Sequence, residues 1–311
     1  MDLEQLHLQQ MECFKLAKQN FTNLQQVVYR EIPFEHFTIR LQYNPARIRS
    51  TNAKIDQKSI QKRPCFLCSK NMPKEQEGIT YAGHYHIFVN PYPIFPRHFT
   101  VPTDAHTPQL IKHHLDNMWR LALDFPEYTV FYNGPGCGAS APDHFHFQMA
   151  PRHHMPLEQD IQHPLLKKTI QQNDRYSISI MENYLRTVIV IQSSKIEMLS
   201  PLFFQIQQKL EELIPQPDEA MINLLCWFEQ TTWTCCIFPR KLGRPKQFYE
   251  TDESQILFSP GCVDMAGMII APRKEDFERY SASLLADLFE QVTITPDQTK
   301  KLILTLKEIT V

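Results

Sequence analysis

Short runs rich in β-branched and aromatic residues recur along the chain, and few helical patterns separate them. "FTIRLQY", "YHIFVN", "HFTVP", "YTVFYN" and "HFHFQMA" lie in the first half, and "YSISIM", "TVIVIQ", "EAMINLLCWFE" and "TTWTCCIFP" in the second. Such runs read as strands, and the last two read as a hairpin. Helical periodicity is confined to a few places. Residues 2–28 carry Leu3, Leu6, Phe14, Ala17, Phe21, Leu24 and Val28 on one stripe. "TPQLIKHHLDNMWRLALDF" has Pro108 near its first turn, "PLFFQIQQKLEELI" starts on a proline, and two helices follow "VDMAGMIIAP". Strands in series with so few helices predict an α+β fold with mainly antiparallel sheet rather than alternating βαβ units. The rhythm recurs, which suggests a duplicated architecture. The division is expected within 155–175, which is polar and weakly patterned, giving halves 1–165 and 166–311.

Composition narrows the class. The 42% hydrophobic content of the 311 residues suffices for a large core, and 21% charge is ordinary for a globular protein. A net charge of -2 provides no general attraction to nucleic acid or anionic membrane, so neither is expected as a partner. Apolar runs such as "MINLLCWF" fall far short of the ~18 residues a membrane span requires. The start "MDLEQLHLQQ" is acidic without an apolar core, so no secretory leader is expected. Eight cysteines in a chain of this length do not suggest a dense disulfide framework, and a cytoplasmic location with reduced, buried or metal-bound thiols is expected.

The chain holds eight glycines, and three of them stand in "FYNGPGCGASAPDHFHFQ", residues 131–148. If "HFHFQMA" is a strand, His144, His146 and Gln148 share one face while Phe145 and Phe147 point into core. Histidines two apart are ~6.6 Å from each other along a strand, so they can serve two different sites. Glycines let backbone N–H groups approach a ligand closely, as in phosphate cradles, and Ser140 adds a hydroxyl at the strand mouth. The bland alternative is a pair of satisfied histidines on an exposed sheet. The coincidence of glycine loop, serine, two histidines and glutamine argues against it. Cys65 and Cys68 in "RPCFLC" have metal-ligand spacing, although a redox pair or two buried thiols share it. Further ligands would come from His84, His86, His98, His106 or His144.

"GASAPDHFHFQ" resembles the signature of the galactose-1-phosphate uridylyltransferase branch of the histidine-triad superfamily. That branch includes the diadenosine tetraphosphate phosphorylases and GDP-hexose phosphorylases. "NPYPIFPRHFTVPTDAH", "CCIFPRKLGRP" and "SPGCVDMAGMIIAPRKEDF" are similar to other family segments. The resemblance implies a HIT-like duplicated architecture of two mainly antiparallel sheets with helices packed on them. It implies a nucleotidyltransferase or phosphorylase acting on a nucleotide sugar or dinucleoside polyphosphate, with phosphate or sugar phosphate as acceptor. His146 matches the nucleophile that forms a covalent nucleotidyl-histidine, which splits one difficult displacement into two easier ones. Gln148 matches the position of a third histidine in hydrolytic members, where an amide can donate to a phosphate oxygen but cannot titrate. Ser140 and the amides near Gly138 match the phosphate loop, and Asn133 a substrate-side polar residue.

The same resemblance implies a structural zinc on Cys65, Cys68, His106 and His144, a tetrahedral S2N2 set. Arg47 and Arg49 stand where the uridylyltransferases hold arginines near the nucleotide phosphates. Arg240 is expected at the substrate as well, with Lys241 and Arg244 beside it in "FPRKLGRP". His98 falls near the substrate without a specified role, and His153 and His154 read as surface loop. Asp143 is an extra residue before the histidine strand, so the loop enters with a different register. A competing class is a non-catalytic nucleotide- or RNA-binding protein that retains the fold and a structural zinc. Binding alone would not need an unprotonated histidine and a glutamine together. A cupin-like or amidohydrolase metal enzyme is disfavoured by the missing ligand spacing and the absence of βα alternation.

Overall fold

The structure is a computed structural model that describes residues 2–48 and 57–311. Where one helix is expected at the start there are two, α1 (Leu3–Cys13) and α2 (Lys15–Leu24), broken at Phe14, whose ψ of 89° leaves the helical region while its ring stays buried. Val28 opens a strand instead of extending the helical stripe. The elements that follow are β1 (Val28–Pro33), β2 (Thr38–Tyr43), α3 (Gln57–Lys62), β3 (Gly78–Tyr81), β4 (Tyr85–Val89), β5 (Phe99–Pro102), α4 (Leu115–Asp124), β6 (Tyr128–Asn133) and β7 (His146–Pro151). The second half has α5 (Leu157–Asp160), β8 (Lys167–Gln172), β9 (Tyr176–Met181), β10 (Ile189–Ser193), α6 (Ile196–Leu213), β11 (Ile222–Glu229), β12 (Thr232–Pro239), α7 (Cys262–Met265), β13 (Met268–Ala271), α8 (Lys274–Arg279), α9 (Ala282–Val292) and α10 (Pro296–Leu306).

Ten strands form one antiparallel sheet in the order β3-β4-β5-β7-β6-β11-β12-β10-β9-β8. Read inward from either edge, the five strands of each half follow the same order, first, second, third, fifth, fourth, with a helix between the third and fourth. The duplicated architecture is therefore explicit, and the halves join where β6 pairs with β11, from Asn223 opposite Asn133 to Cys226 opposite Val130. A second sheet, β1-β2-β13, crosses between halves, with β13 running parallel to β2.

Alternation along the strands assigns the two faces. Tyr85, Phe99, Tyr132 and Phe147 pack with Leu6, Trp119 and Phe203 in a core between the large sheet and its helices. Phe131, Ala150, Leu225 and Cys236 pack with Leu41, Ile269 and Phe289 on the opposite face, beneath the small sheet. Among the described residues, no helix is long and apolar enough to cross a membrane.

Several boundaries differ from the expected ones for local reasons. Thr107 and Gln109 are not helical: the Thr107 carbonyl accepts from Phe145 N–H, a 3-10 turn covers Ile111–His113, and α4 starts only at Leu115. Helix α6 starts before its proline, leaving Pro201 inside. Of the outermost strands, β3 has only four residues and β8 is mostly polar. Each is an edge, and β8 is guarded by Lys167 and Lys168, a common defence against unwanted pairing.

One buried acid stands at the junction of the halves. Glu219 Oε2 accepts from Ile111 N–H at 2.9 Å, and Oε1 lies 2.6 Å from the Tyr132 hydroxyl, which lies 2.7 Å from the Gln109 carbonyl. The Tyr132 hydroxyl has one proton for two acceptors, so the chain is complete when Glu219 is protonated and donates to Tyr132. Burial pushes the Glu219 carboxyl up to about 7. Because the folded pKa lies above the ordinary value, stability falls as pH rises through about 4.5 to 7. Glu219→Gln keeps donor and acceptor without a charge. Thermal unfolding should find it equal to wild type at pH 5 and more stable by about 2–3 kcal/mol at pH 8.

Candidate active site

Strand β7 begins at His146, so His144 sits in the turn before it, where its N–H bonds the Ala141 carbonyl. The two histidines serve different places. His146 borders a cleft of about 700 Å³, together with Gln148, Asn133, Gly138, Ser140 and Arg47. His146 Nδ1 lies 2.9 Å from the His144 carbonyl, an acceptor only, so Nδ1 carries the ring proton and Nε2 keeps its lone pair. Burial pushes the imidazole down to about 4, so it is neutral at pH 7. A neutral ring with a fixed tautomer can act as a nucleophile.

Gln148 is oriented by His98, a fully buried neighbour from the loop before β5. His98 Nδ1 accepts from Ile94 N–H at 3.3 Å, so Nε2 bears the proton and donates to Gln148 Oε1 at 3.0 Å. The Gln148 NH2 is thereby turned away from His98, free to donate to an anion. Burial, aided by Arg47, pushes His98 down to about 3, which keeps it neutral.

The backbone of His146 is held by another side chain. The β6–β7 ladder ends at the pair Phe131 and Gln148. Beyond it Gln109 bridges the parting strands: its Oε1 accepts from His146 N–H at 2.8 Å, and its Nε2 donates to the carbonyls of His146 at 2.9 Å and Asn133 at 3.1 Å. The loop 134–140 emerges from this opening. Gly138, at φ +92°, meets Gly261 so closely that a Cβ would stand 2.5 Å from Gly261 Cα. Gly243 likewise has no room for a Cβ beside the Gly136 carbonyl. The clustered glycines allow loops of the two halves to pack backbone on backbone.

The arginines are sorted by the fold. Arg240 does not face the cleft: its guanidinium donates to Asn223 Oδ1 at 2.7 Å and to the carbonyls of Pro260, Leu242, Gly243 and Val292. Its expected substrate role is replaced by an internal one, because burial forces every donor onto a protein acceptor. Asn223 in turn donates to Asn133 Oδ1 at 2.8 Å, which also accepts from Cys262 N–H at 2.6 Å. Asn133 therefore supports the cleft wall while bordering it. Lys241 lies outside the cleft lining, whereas Arg244 borders it and donates to Ser259 Oγ at 2.8 Å. Arg47 donates to the Tyr92 carbonyl at 2.6 Å. Its guanidinium is pushed down to about 10 by burial, opposed by Asp264. Arg49 lies outside the described residues. His153 and His154 border a separate hollow of about 550 Å³. The sequence reading missed Gln109 and Arg63; the only local trace of Arg63 is its position just before Pro64 and Cys65.

Cys65, Cys68, His106 and His144 converge, with one ligand atom from each within 4.8 Å of the others. His144 Nδ1 lies 3.3 Å from Cys65 Sγ and 3.5 Å from Cys68 Sγ, and His106 Nδ1 lies 3.2 Å from Cys68 Sγ. Each Nε2 has an outer partner: the Thr103 carbonyl at 2.7 Å from His144, and Asp143 Oδ2 at 3.6 Å from His106. Two sulfurs and two imidazoles, each ring turned by an outer oxygen, form a donor set that could hold a metal ion.

Residues 6–151 match a family described as a domain of unknown function (DUF4922), and residues 160–310 match the family described as GDPGP1-like, C-terminal domain. Among solved structures the chain is similar to yeast Ap4A phosphorylase Apa2. With the Ap4A complex the TM-score is 0.62 at 16% identity, covering 94% of this chain and 98% of the other. With the AMP complex it is 0.55 at 16% identity, covering 90% and 96%. No curated protein sequence matches. The fold is a duplicated α+β architecture shared with that phosphorylase.

Protein purified without chelator should carry about one zinc per chain, measured by elemental analysis. Cys65→Ser and His144→Ala should each lose most of it, whereas His146→Ala should retain it.

Proposed function

We propose that the protein is a nucleotidyltransferase of the phosphorylase type, acting on a dinucleoside polyphosphate or nucleotide sugar through His146. One observation carries this proposal. A buried neutral imidazole, its Nδ1 proton anchored on the His144 carbonyl, borders a cleft shared with a glycine loop, an oriented glutamine amide and three arginines, Arg47, Arg63 and Arg244. Cationic forks opposite a neutral nucleophile suit a polyphosphate. Solved structures of similar fold include Ap4A phosphorylase with Ap4A and with AMP, which supports a nucleotide substrate here.

In the first step His146 Nε2 attacks the α-phosphorus while the bond to the bridging oxygen breaks. The departing sugar phosphate or nucleotide carries off the electron pair. The ring, now bonded to phosphorus, stays protonated at Nδ1 against the His144 carbonyl, which stabilises its positive charge. The Gln148 NH2, Ser140 and the loop amides near Gly138 hold the charge on the non-bridging oxygens. In the second step an oxygen of phosphate or of a sugar phosphate attacks the same phosphorus and releases neutral His146. Cys65, Cys68, His106 and His144 would hold a zinc ion, which would supply a structural tie for the turn that carries the His144 carbonyl. The N-terminal half, 1–165, carries this chemistry, and the C-terminal half, 166–311, closes the cleft with Arg244 and the 259–264 segment.

His146→Ala should abolish both turnover and the covalent intermediate. Gln148→Ala should slow transfer roughly 10²–10³-fold, and His98→Ala should slow it less, by releasing the amide rather than removing it. Substrates labelled at the α-phosphate, quenched in alkali, should trap an acid-labile phosphoramidate on wild type. Equal turnover by wild type and His146→Ala would exclude the mechanism.

A further inference from the structure

Arg63 stands two residues before Cys65 and just after α3, and it borders the cleft beside Ser140. Its Nη2 donates to Asp143 Oδ1 at 2.7 Å and reaches the Ser140 carbonyl at 3.3 Å. The guanidinium stands 5.1 Å from the centroid of the Phe66 ring. Its Nη1 is buried and has no hydrogen-bond partner among the described residues. A buried cationic donor left unpaired is costly, and every other contact of this guanidinium locks one edge of its fork. Because Arg63 lines the cleft together with Ser140, a ligand in the cleft can supply the missing acceptor. An anionic phosphoryl oxygen is the acceptor that a planar fork binds best.

Asp143 has a second connection. Its Oδ2 lies 3.6 Å from His106 Nε2, and His106 Nδ1 faces Cys68 Sγ at 3.2 Å. One carboxylate therefore touches both the cleft arginine and the outer nitrogen of a metal-site histidine. We propose that Arg63 is a phosphate-binding residue of the cleft, and that Asp143 orients it while coupling its position to the Cys65–Cys68–His106–His144 cluster. The residue that is extra before the histidine strand thereby acquires a purpose. This inference rests on the proposed nucleotide-binding function of the cleft. Of the four cluster residues His106 is the exposed one, so it relies most on its ion and on Asp143 to stay in place. Loss of the ion releases His106, then Asp143, then the set of the Arg63 fork.

The test is calorimetric titration of ADP and of inorganic tripolyphosphate into the full chain, with zinc content measured on each sample. Arg63→Gln should weaken both ligands by about ten- to a hundredfold and leave zinc content unchanged. Asp143→Asn should weaken them less and also speed the loss of zinc to a chelator, as outer-partner changes lower metal affinity by about 10–100-fold. Stripping the metal should reduce ligand affinity in wild type but add nothing in Arg63→Gln. Should Arg63→Gln fail to fold, Arg63→Lys, which keeps the charge without the fork, should show a partial loss. If wild type binds both ligands and the Arg63 variants bind them equally well, Arg63 is not a phosphate residue. An equal loss of affinity on stripping wild type and Arg63→Gln would refute the coupling. Wild type binding neither ligand would instead refute the nucleotide-binding function itself.

Discussion

The pairing of β6 with β11 is the constraint on which the rest of this structure depends. It fuses two five-stranded halves into one sheet and brings Asn133 opposite Asn223. From that pair a buried polar chain runs from Asn133 through Asn223 to Arg240. Arg240 in turn holds the Pro260 carbonyl, and Asn133 holds the Cys262 amide. The segment from one half is thus pinned over the glycine loop of the other, at a separation only glycine permits. A half-satisfied buried network would be worse than an apolar seam, and here the named groups are paired. The cleft exists because this junction closes one side of it.

Within the cleft, backbone carbonyls and neutral side chains do most of the electrostatic tuning. His144 contributes its ring to the thiol cluster and its carbonyl to His146, so one residue links the cluster to the cleft. His98 remains neutral through burial and fixes the face that Gln148 presents. Gln109 replaces the ladder bonds lost where β6 and β7 separate, which opens the sheet without leaving the His146 amide unpaired. The cationic groups, Arg47, Arg63 and Arg244, border the space around this neutral centre, as does the acid Asp264. In the proposed reaction, that distribution would attract a polyphosphate without protonating His146.

Much of the fold was legible because strand periodicity is local. β6 and β9 match the runs "YTVFYN" and "YSISIM" residue for residue, and the β11–β12 hairpin falls where it was read. The failures have local causes. Polar β8 is an edge strand with one apolar residue, Ile170, facing core, and β3 has only four residues, so neither gives a strong strand pattern. Phe14 is compatible with a helical stripe, yet tertiary packing breaks the helix there. In the site, His146, Gln148 and Ser140 border the cleft, and the two cysteines converge with His106 and His144. Arg240 misled because an arginine that binds phosphate and one that ties loops together have the same composition around them.

By itself the sequence determined the alternation of β7, the glycine-rich entry to it, the spacing of Cys65 and Cys68, and hence the class of fold. All of these are properties of neighbouring residues. Only the tertiary structure decided which histidine nitrogen carries a proton, which way the Gln148 amide points, and which arginines are exposed to a ligand. Those answers depend on partners far away in the chain: His98 is 50 residues from Gln148, Gln109 is 37 from His146, and Asp143 is 80 from Arg63. Burial and hydrogen bonding are sums over whatever the fold brings together, and no short stretch of sequence contains that sum.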